Sequence, residues 1–309
     1  MRVFVYGTST VEHAVLWRLA ASSRIAGLFC ADEGPSLLGL AKLLGGGRKD
    51  PAELREACVS QRVDVAVLNS RTQVARKLTS ELRRAGIGVI APGERTWELE
   101  DDPSWLHSFA DRNGIATVER NNTELTVFAL TDGRSYRVLS SSQRHDYGNR
   151  NGQPGSLETA GALAPVPWID SSFNTRIEDE IVHRTFQRLF ESGLPHTGVV
   201  GFGVGRNENG PALSSVRFSF AEPEVAVLMP LLEVDFGALL EALVERKLDS
   251  VPFGMSNRSA LAFVLTNRSD TPTHLSTSAL ALPGYSGENY TVFLSAYVET
   301  GGHVSIRPG

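Results

Sequence analysis

His145 and Asp146 set an imidazole beside a carboxylate in a stretch rich in Gly, Asn, Ser and Pro, a pair able to bind a ligand or orient a water. Two solvated loop residues would read the same way. Glu222-Pro223-Glu224, at the end of an apolar run, offers carboxylates to a metal or an amine, but acidic residues that start a helix also complement its dipole. Gly7-Thr8-Ser9-Thr10 joins the first apolar run to the first helical pattern, where amides can hold an anion and where an N-capped turn is equally at home. It lacks the second and third glycines of a dinucleotide fingerprint, which argues against NAD. Gly45-Gly46-Gly47-Arg48-Lys49 follows a helical segment and lacks the Gly-Lys-Ser/Thr ending, so it reads as a loop and not as a P-loop. Gly201-Phe202-Gly203-Val204-Gly205 precedes a turn and another strand, and reads as strand glycines under close packing. None of the 7 histidines stands three or four residues from another histidine or a cysteine in a metal-binding pattern.

The elements that must position these residues follow from hydrophobic periodicity. Val3-Phe4-Val5-Tyr6, Ile25 to Phe29, Val63 to Leu68 and Ile87 to Ile90 are short apolar runs separated by helical patterns, such as Thr72 to Ala85 with Val74, Leu78 and Leu82 on one face. That alternation predicts βαβ units and a parallel sheet in a Rossmann-like domain over residues 1–95. A helix over 96–111 leads to a second texture. Runs at 124–130 and 136–141 flank Asp132-Gly133 as a hairpin, and residues 143–167 read as a long loop. Thr175 to Ser192 reads as a helix stopped by Gly193. A hairpin around Asn207-Glu208-Asn209-Gly210, a helix over 236–246 and a β-rich tail from Ala260 complete the pattern. The fold class is α/β followed by α+β, in three parts: 1–95, 96–250 and 251–309.

Composition removes several classes. With 30 Lys plus Arg against 35 Asp plus Glu, the formal charge of -5 provides no basic field for nucleic acid. No apolar run approaches the roughly 18 residues of a membrane span. The opening Met1 to Gly7 reads as a strand, unlike a signal peptide, and two cysteines, Cys30 and Cys58, suit reduced thiols in a cytoplasmic protein. Lysine occurs only at 42, 49, 77 and 247, so any phosphate chemistry between Leu78 and Arg246 must use arginine.

Short segments in a fixed order carry a family resemblance. They are Gly7 followed by Glu12-His13-Ala14, Ala85-Gly86-Ile87-Gly88-Val89-Ile90-Ala91-Pro92, Gly114-Ile115-Ala116-Thr117, Asp132-Gly133, Ser142-Gln143-Arg144-His145-Asp146, Ala164-Pro165-Val166-Pro167, His196-Thr197-Gly198 and Phe220-Ala221-Glu222-Pro223-Glu224. Together they resemble the glycinamide ribonucleotide synthetase (phosphoribosylamine-glycine ligase) family of the ATP-grasp superfamily, over almost the whole chain. The resemblance implies a Rossmann-like domain, the larger ATP-grasp lobe and part of a C-terminal domain. It also implies losses. The family carries a small lobe with a lysine-containing, glycine-rich phosphate loop where only Val118 to Thr123 stand here. Its magnesium-binding Glu and Asn correspond to Ser215 and Arg217, a poor ligand and a cation. Its Thr-Gly-Gly-Met-Gly-Ala appears as Leu157 to Ala162, and the chain stops at Ile306 to Gly309, before the family's last strand and helices.

The expectation is a degenerate, shortened member without ATP or magnesium as cofactors, binding a small phosphorylated or amino-acid-like metabolite. Gly7, Thr8, Ser9, Thr10, His145, Asp146, Arg217 and Glu222 are expected to line the site, with no metal. Arg217 either serves as a fixed positive charge for a carboxylate or phosphate, or closes an internal ion pair with Glu222 or Asp146. The competing expectations are an active ATP-dependent ligase of purine biosynthesis and a protein that stabilises a protein partner.

Overall fold

The computed structural model describes residues 1–7, 9–31, 39–44, 50–70, 72–93, 96–146, 160–193, 196–264, 287, 289–293, 297–300 and 303–306. Contacts divide the chain into two units, one of Met1–Gly88, Asp146–Ala160 and Phe263–Gly309, the other of Val89–His145 and Gly161–Ala262. The tail that the sequence sets apart at 251 thus groups by contacts with the N-terminal residues from Phe263 onward. No helix among the described residues is long and apolar enough to cross a membrane.

The first sheet contains β1 (Arg2–Tyr6), β2 (Gly27–Cys30), β3 (Lys42–Leu43), β4 (Val65–Leu68) and β5 (Gly88–Ile90), in the order β3-β2-β1-β4-β5. β1 runs parallel to both β2 and β4. Val3, Phe4 and Val5 and all four residues of β4 are buried, as expected for a parallel strand covered on both faces. The helices α1 (Thr10–Ala20), α2 (Pro51–Ser60) and α3 (Gln73–Arg84) begin where capping residues stand. Asp50 caps α2 through the amides of Ala52 and Glu53 with Pro51 in the first turn, and Thr72 caps α3 through Ala75. Strand β3, two residues long, has no periodicity to betray it.

In the second unit the helix expected over 96–111 is two, α4 (Thr96–Asp101) and α5 (Pro103–Arg112). Asp102 restarts the helix by accepting the amides of Ser104 and Trp105, and Pro103 cannot continue the preceding one. The second sheet contains β6 (Leu125–Thr131), β7 (Tyr136–Asp146), β8 (Ala160–Ala164), β9 (Gly198–Asn207), β10 (Gly210–Arg217) and β11 (Ala260–Phe263), in the order β10-β9-β6-β7-β8-β11. The long loop expected over 143–167 therefore has strand at both ends, and residues 147–159 lie outside the described residues. Val118 to Thr123, with a 3-10 turn at Arg120–Asn122, leads directly into β6.

The helix expected over 175–192 starts earlier, at the Asp170 cap. It runs as α6 (Ser171–Ile177), a π-helical stretch (Glu178–His183) and α7 (Arg184–Glu191). Ile177, Ile181, Phe186 and Leu189 all join one core cluster. At 3.6 residues per turn a regular α-helix would turn Phe186 away from Ile177; the wider π turn brings it back. Phe186 then meets Phe202 of β9 edge-on at 5.5 Å and stacks on Tyr136 at 4.6 Å. The helices α8 (Glu224–Leu231) and α9 (Phe236–Glu245) follow the sheet, and the tail adds β12 (Tyr297–Thr300) paired with β13 (His303–Ile306).

Candidate functional site

One face of the second sheet is apolar and packs into the core; the other carries Ser215 and Arg217. The split depends on a β-bulge in β10 between Leu213 and Ser215. Strict alternation would put Leu213 and Val216 on opposite faces, yet both belong to the core cluster with Phe202 and Val204. The extra residue re-phases the strand, so that Ser215 and Arg217 share the other face.

Register fixes their neighbours. Arg217 pairs with Gly201, which pairs with Phe128, and Ser215 pairs with Gly203, which pairs with Thr126 and through it with Ser142. Residues in register on adjacent strands point to the same face. The glycines of β9 are needed there: a Cβ on Gly201 would lie 2.9 Å from the Phe128 ring, and one on Gly203 would overlap the Ser215 hydroxyl. Close packing thus accounts for the Gly-x-Gly-x-Gly run.

Beyond Arg217 the chain crosses this face to α8. Phe218 is anchored by donating its amide to the Glu100 carboxylate at 3.0 Å, and Phe220 lies over Phe128 with ring centres 6.2 Å apart. The Glu222 carbonyl accepts a hydrogen bond from Arg144 at 2.9 Å, and a cis peptide links Glu222 to Pro223. Arg217 pairs with Glu224, the first residue of α8, at 3.6 Å between NH1 and Oε1. The partner of Arg217 among the described residues is Glu224; Glu222 offers its carbonyl to Arg144, and the side chain of Asp146 lies outside the described residues. The side chain of Glu224 is 1% exposed and that of Arg217 24%. Among the described residues Glu224 Oε2 finds no hydrogen-bond partner, and neither does the buried hydroxyl of Ser142.

His145 lies elsewhere. Alternation along β7 puts it on the side of Gln143, whose amide oxygen accepts from Trp168, opposite to Ser142 and Arg217. Its ring is exposed. The side chain of Asp146 and all of Thr8 lie outside the described residues, as do Gly45 to Lys49 and Leu157 to Thr159.

Gly7, Ser9 and Thr10 belong to the first unit. Ser9 caps α1 and forms a full capping box with Glu12, whose carboxylate accepts the Ser9 amide at 2.8 Å and the Ser9 hydroxyl at 2.6 Å. Gly7 has φ +135°, and a Cβ there would collide with the Glu12 carboxyl group. The protein's own carboxylate thus occupies the position at which an external anion would meet the Ser9 amide. The Thr10 hydroxyl is buried and finds no hydrogen-bond partner among the described residues.

The donor set around Arg217 does not suit a magnesium ion, which needs oxygen ligands including a carboxylate or two. Among the described residues Glu224 is the carboxylate paired with Arg217, so a guanidinium already faces it. Among the described residues no three His, Cys, Asp or Glu side chains form a group that could hold a metal. Sequence reasoning included Glu224 in a motif but assigned the site to Glu222. Glu224 opens a helix, and its side chain in the first turn meets Arg217 at the end of β10.

Comparison with known proteins places this arrangement. Residues 1–100 match the family model for the phosphoribosylglycinamide synthetase N domain, and residues 114–225 match that for its ATP-grasp (A) domain. The phosphoribosylamine-glycine ligase of Brucella melitensis is 24% identical over 332 residues, covering 86% of this chain and 78% of that protein. That of Chlorobaculum tepidum is 22% identical, with 86% and 80% covered. The crystal structure of the Thermotoga maritima phosphoribosylamine-glycine ligase superposes with a TM-score of 0.76 at 15% identity, covering 100% of this chain and 90% of that one, which establishes the fold. With two successive domains matched in order and the fold shared throughout, the chain belongs to the phosphoribosylglycinamide synthetase family of the ATP-grasp superfamily.

Proposed function

We propose that the protein binds a small metabolite of the phosphorylated or amino-acid-like kind and does not carry out ATP-dependent ligation. The observation that carries this reading is Arg217 facing Glu224, where the resemblance puts a magnesium ligand at position 217. Forming an acyl phosphate from ATP depends on positioning and on neutralising phosphate charge with metal, lysines and amides. A guanidinium fixed on a buried carboxylate supplies charge but no metal site. The direct passage of Val118 to Thr123 into β6 supports the same reading, because it leaves no lobe between them to cover phosphates. In keeping with that, 86% of a 309-residue chain falls well short of the 332 aligned residues of the Brucella melitensis relative. A role in stabilising a protein partner is compatible with this reading.

The second reading is an active ATP-dependent carboxylate-amine ligase of purine biosynthesis, favoured by the family match and by the printed activity of the relatives. Isothermal titration with Mg-ATP, and ADP release in the presence of glycine and phosphoribosylamine, separate the two. No heat and no ADP are expected. Micromolar Mg-ATP affinity, or turnover, would establish the ligase instead.

A further inference from the structure

Arg206 of β9 is held in place by its neighbours while most of its donors stay unused. Strand alternation puts it on the side of Phe202 and Val204, where the core ends, and opposite to Gly201 and Arg217. Its guanidinium carbon lies 4.1 Å from the centre of the Phe173 ring and 5.5 Å from that of Trp168. Both rings are themselves fixed. The Phe173 amide is held by the Asp170 cap and its ring packs against the core cluster, whereas Trp168 donates its indole N–H to the Gln143 amide oxygen at 3.1 Å. Arg206 also donates through Nε to Glu124 at 3.1 Å, and that contact is single. Arg176 meets Glu180 through two nitrogens, at 2.7 and 3.3 Å, but the two terminal nitrogens of Arg206 make no hydrogen bond among the described residues. The Arg206 side chain is 46% exposed and Trp168 43%, so the unused edge of the guanidinium and much of the indole are open to solvent.

We infer that Arg206 and Trp168 form a surface site for a carboxylate carried on a flat ring. The terminal N–H edge of the guanidinium matches the two oxygens of a carboxylate in one plane, and the exposed indole offers the ring a surface to stack on. Binding an anion normally costs an arginine much of its rotamer freedom; here the rings and Glu124 have already restricted it. Charge sets the class. Glu124 already balances Arg206, so a carboxylate adds one uncompensated negative charge where a phosphate adds up to two. Both groups stay hydrated at this exposure, which keeps the cost of a single added charge small. The inference does not rest on the metabolite-binding reading above, because Arg206 and Arg217 stand on opposite sides of the sheet.

The test titrates the full chain with benzoate, acetate and inorganic phosphate while the indole N–H NMR signal of Trp168 is followed, assigned by its absence from Trp168→Phe. Benzoate should shift the signal saturably with a Kd in the millimolar range, as suits a probe of about nine heavy atoms on an open surface. Acetate, which has no ring, should bind more weakly, and phosphate no better than acetate. Arg206→Lys keeps the charge without the planar fork and should weaken benzoate roughly tenfold. Glu124→Gln removes the balancing carboxylate but leaves an amide oxygen to accept from Nε, so benzoate and acetate should both tighten. That second variant decides the matter even if Arg206→Lys loosens Trp168. The inference is overturned by silence toward benzoate, by acetate or phosphate binding as tightly as benzoate, by an affinity unchanged in Arg206→Lys, or by weaker benzoate binding in Glu124→Gln.

Discussion

The carboxylate of Asp132 accepts the backbone amide of Leu248 at 3.0 Å across 116 residues of sequence, tying the turn between β6 and β7 to the 3-10 turn Leu248–Ser250. The same side chain, 1% exposed, accepts from the amides of Arg134 and Ser135 and from the Ser135 hydroxyl. Burial raises its pKa, but the hydrogen bonds together outweigh burial and hold it below the usual carboxylate range. Because the folded pKa is the depressed one, the contribution to stability is complete above the unfolded value of about 3.9 and is lost as pH falls through the folded value. Asp132→Asn should destabilise the protein by about 1–3 kcal/mol at pH 7, and the deficit should shrink as acid protonates Asp132 in the parent. Urea unfolding of both proteins at pH 7 and in a series from pH 4 downward measures this; a deficit that stays constant through the whole acid series would disprove the assignment.

Gly205 of β9 faces the turn Arg120–Asn122. A Cβ there would overlap the Asn122 carbonyl oxygen and press on Val118 at 3.1 Å. The glycine is therefore what lets the short connection lie flat on the sheet. Gly205→Ala should cost about 1–3 kcal/mol by overpacking and speed amide exchange over residues 118–124 before other parts of the sheet. Unchanged exchange there would mean that the connection does not depend on this contact.

Cys58 is wholly buried on α2, and burial pushes its thiol up to about 12. Cys30 is buried on β2. Neither should react with a water-soluble aromatic disulfide at pH 8 in the native protein, and both should react promptly in denaturant. Fast native labelling of Cys58 would contradict its burial.

The fold was largely readable because its strongest signals are local. Apolar runs buried on both faces and caps such as Asp50 and Thr72 mark the parallel half. Asp132-Gly133 and Asn207 to Gly210 mark the two hairpins, which form as expected. What periodicity does not carry is a change of phase. The bulge at Ser214 and the π turn before Arg184 each shift by one residue which side chains face the core, and neither leaves a compositional mark. The candidate site suffered most, since one such shift puts Ser215 and Arg217 on the face away from the core. The partner of Arg217 then depended on where α8 begins, a tertiary fact that the motif Glu222-Pro223-Glu224 does not encode.

Arg246 ends α9 in the left-handed conformation, with φ 57° and ψ 47°, and its backbone amide donates to the carbonyls of Ala242 and Leu243. Its side chain is exposed, so the position is set by backbone geometry. An L-residue pays roughly 1 kcal/mol there that glycine does not. Glycine loses more backbone entropy on folding, which offsets part of the gain. Arg246→Gly should thus raise stability by a few tenths to about 1 kcal/mol in chemical denaturation; a loss would mean that Arg246 holds a contact that its exposure conceals.

The start of α1 allows a sharper experiment, because two roles for one group of atoms make opposite demands. If the Ser9 amide serves only the helix, Glu12 is its permanent partner and removing the carboxylate merely loses the capping box. If the loop can hold an anion, Glu12 is the resident competitor, and removing it opens the space over Gly7 while leaving the amide and the helix dipole in place. Glu12→Ala should cost about 1 kcal/mol of stability in either case, so stability alone does not decide. The deciding measurement is a phosphate titration followed by the amide NMR signals of Gly7 and Ser9. The parent should show no shift, since its own carboxylate fills the position. Saturable shifts in Glu12→Ala alone would establish a cradle that the native sequence keeps closed, and silence in both proteins would leave Gly7 to Thr10 as a capped turn.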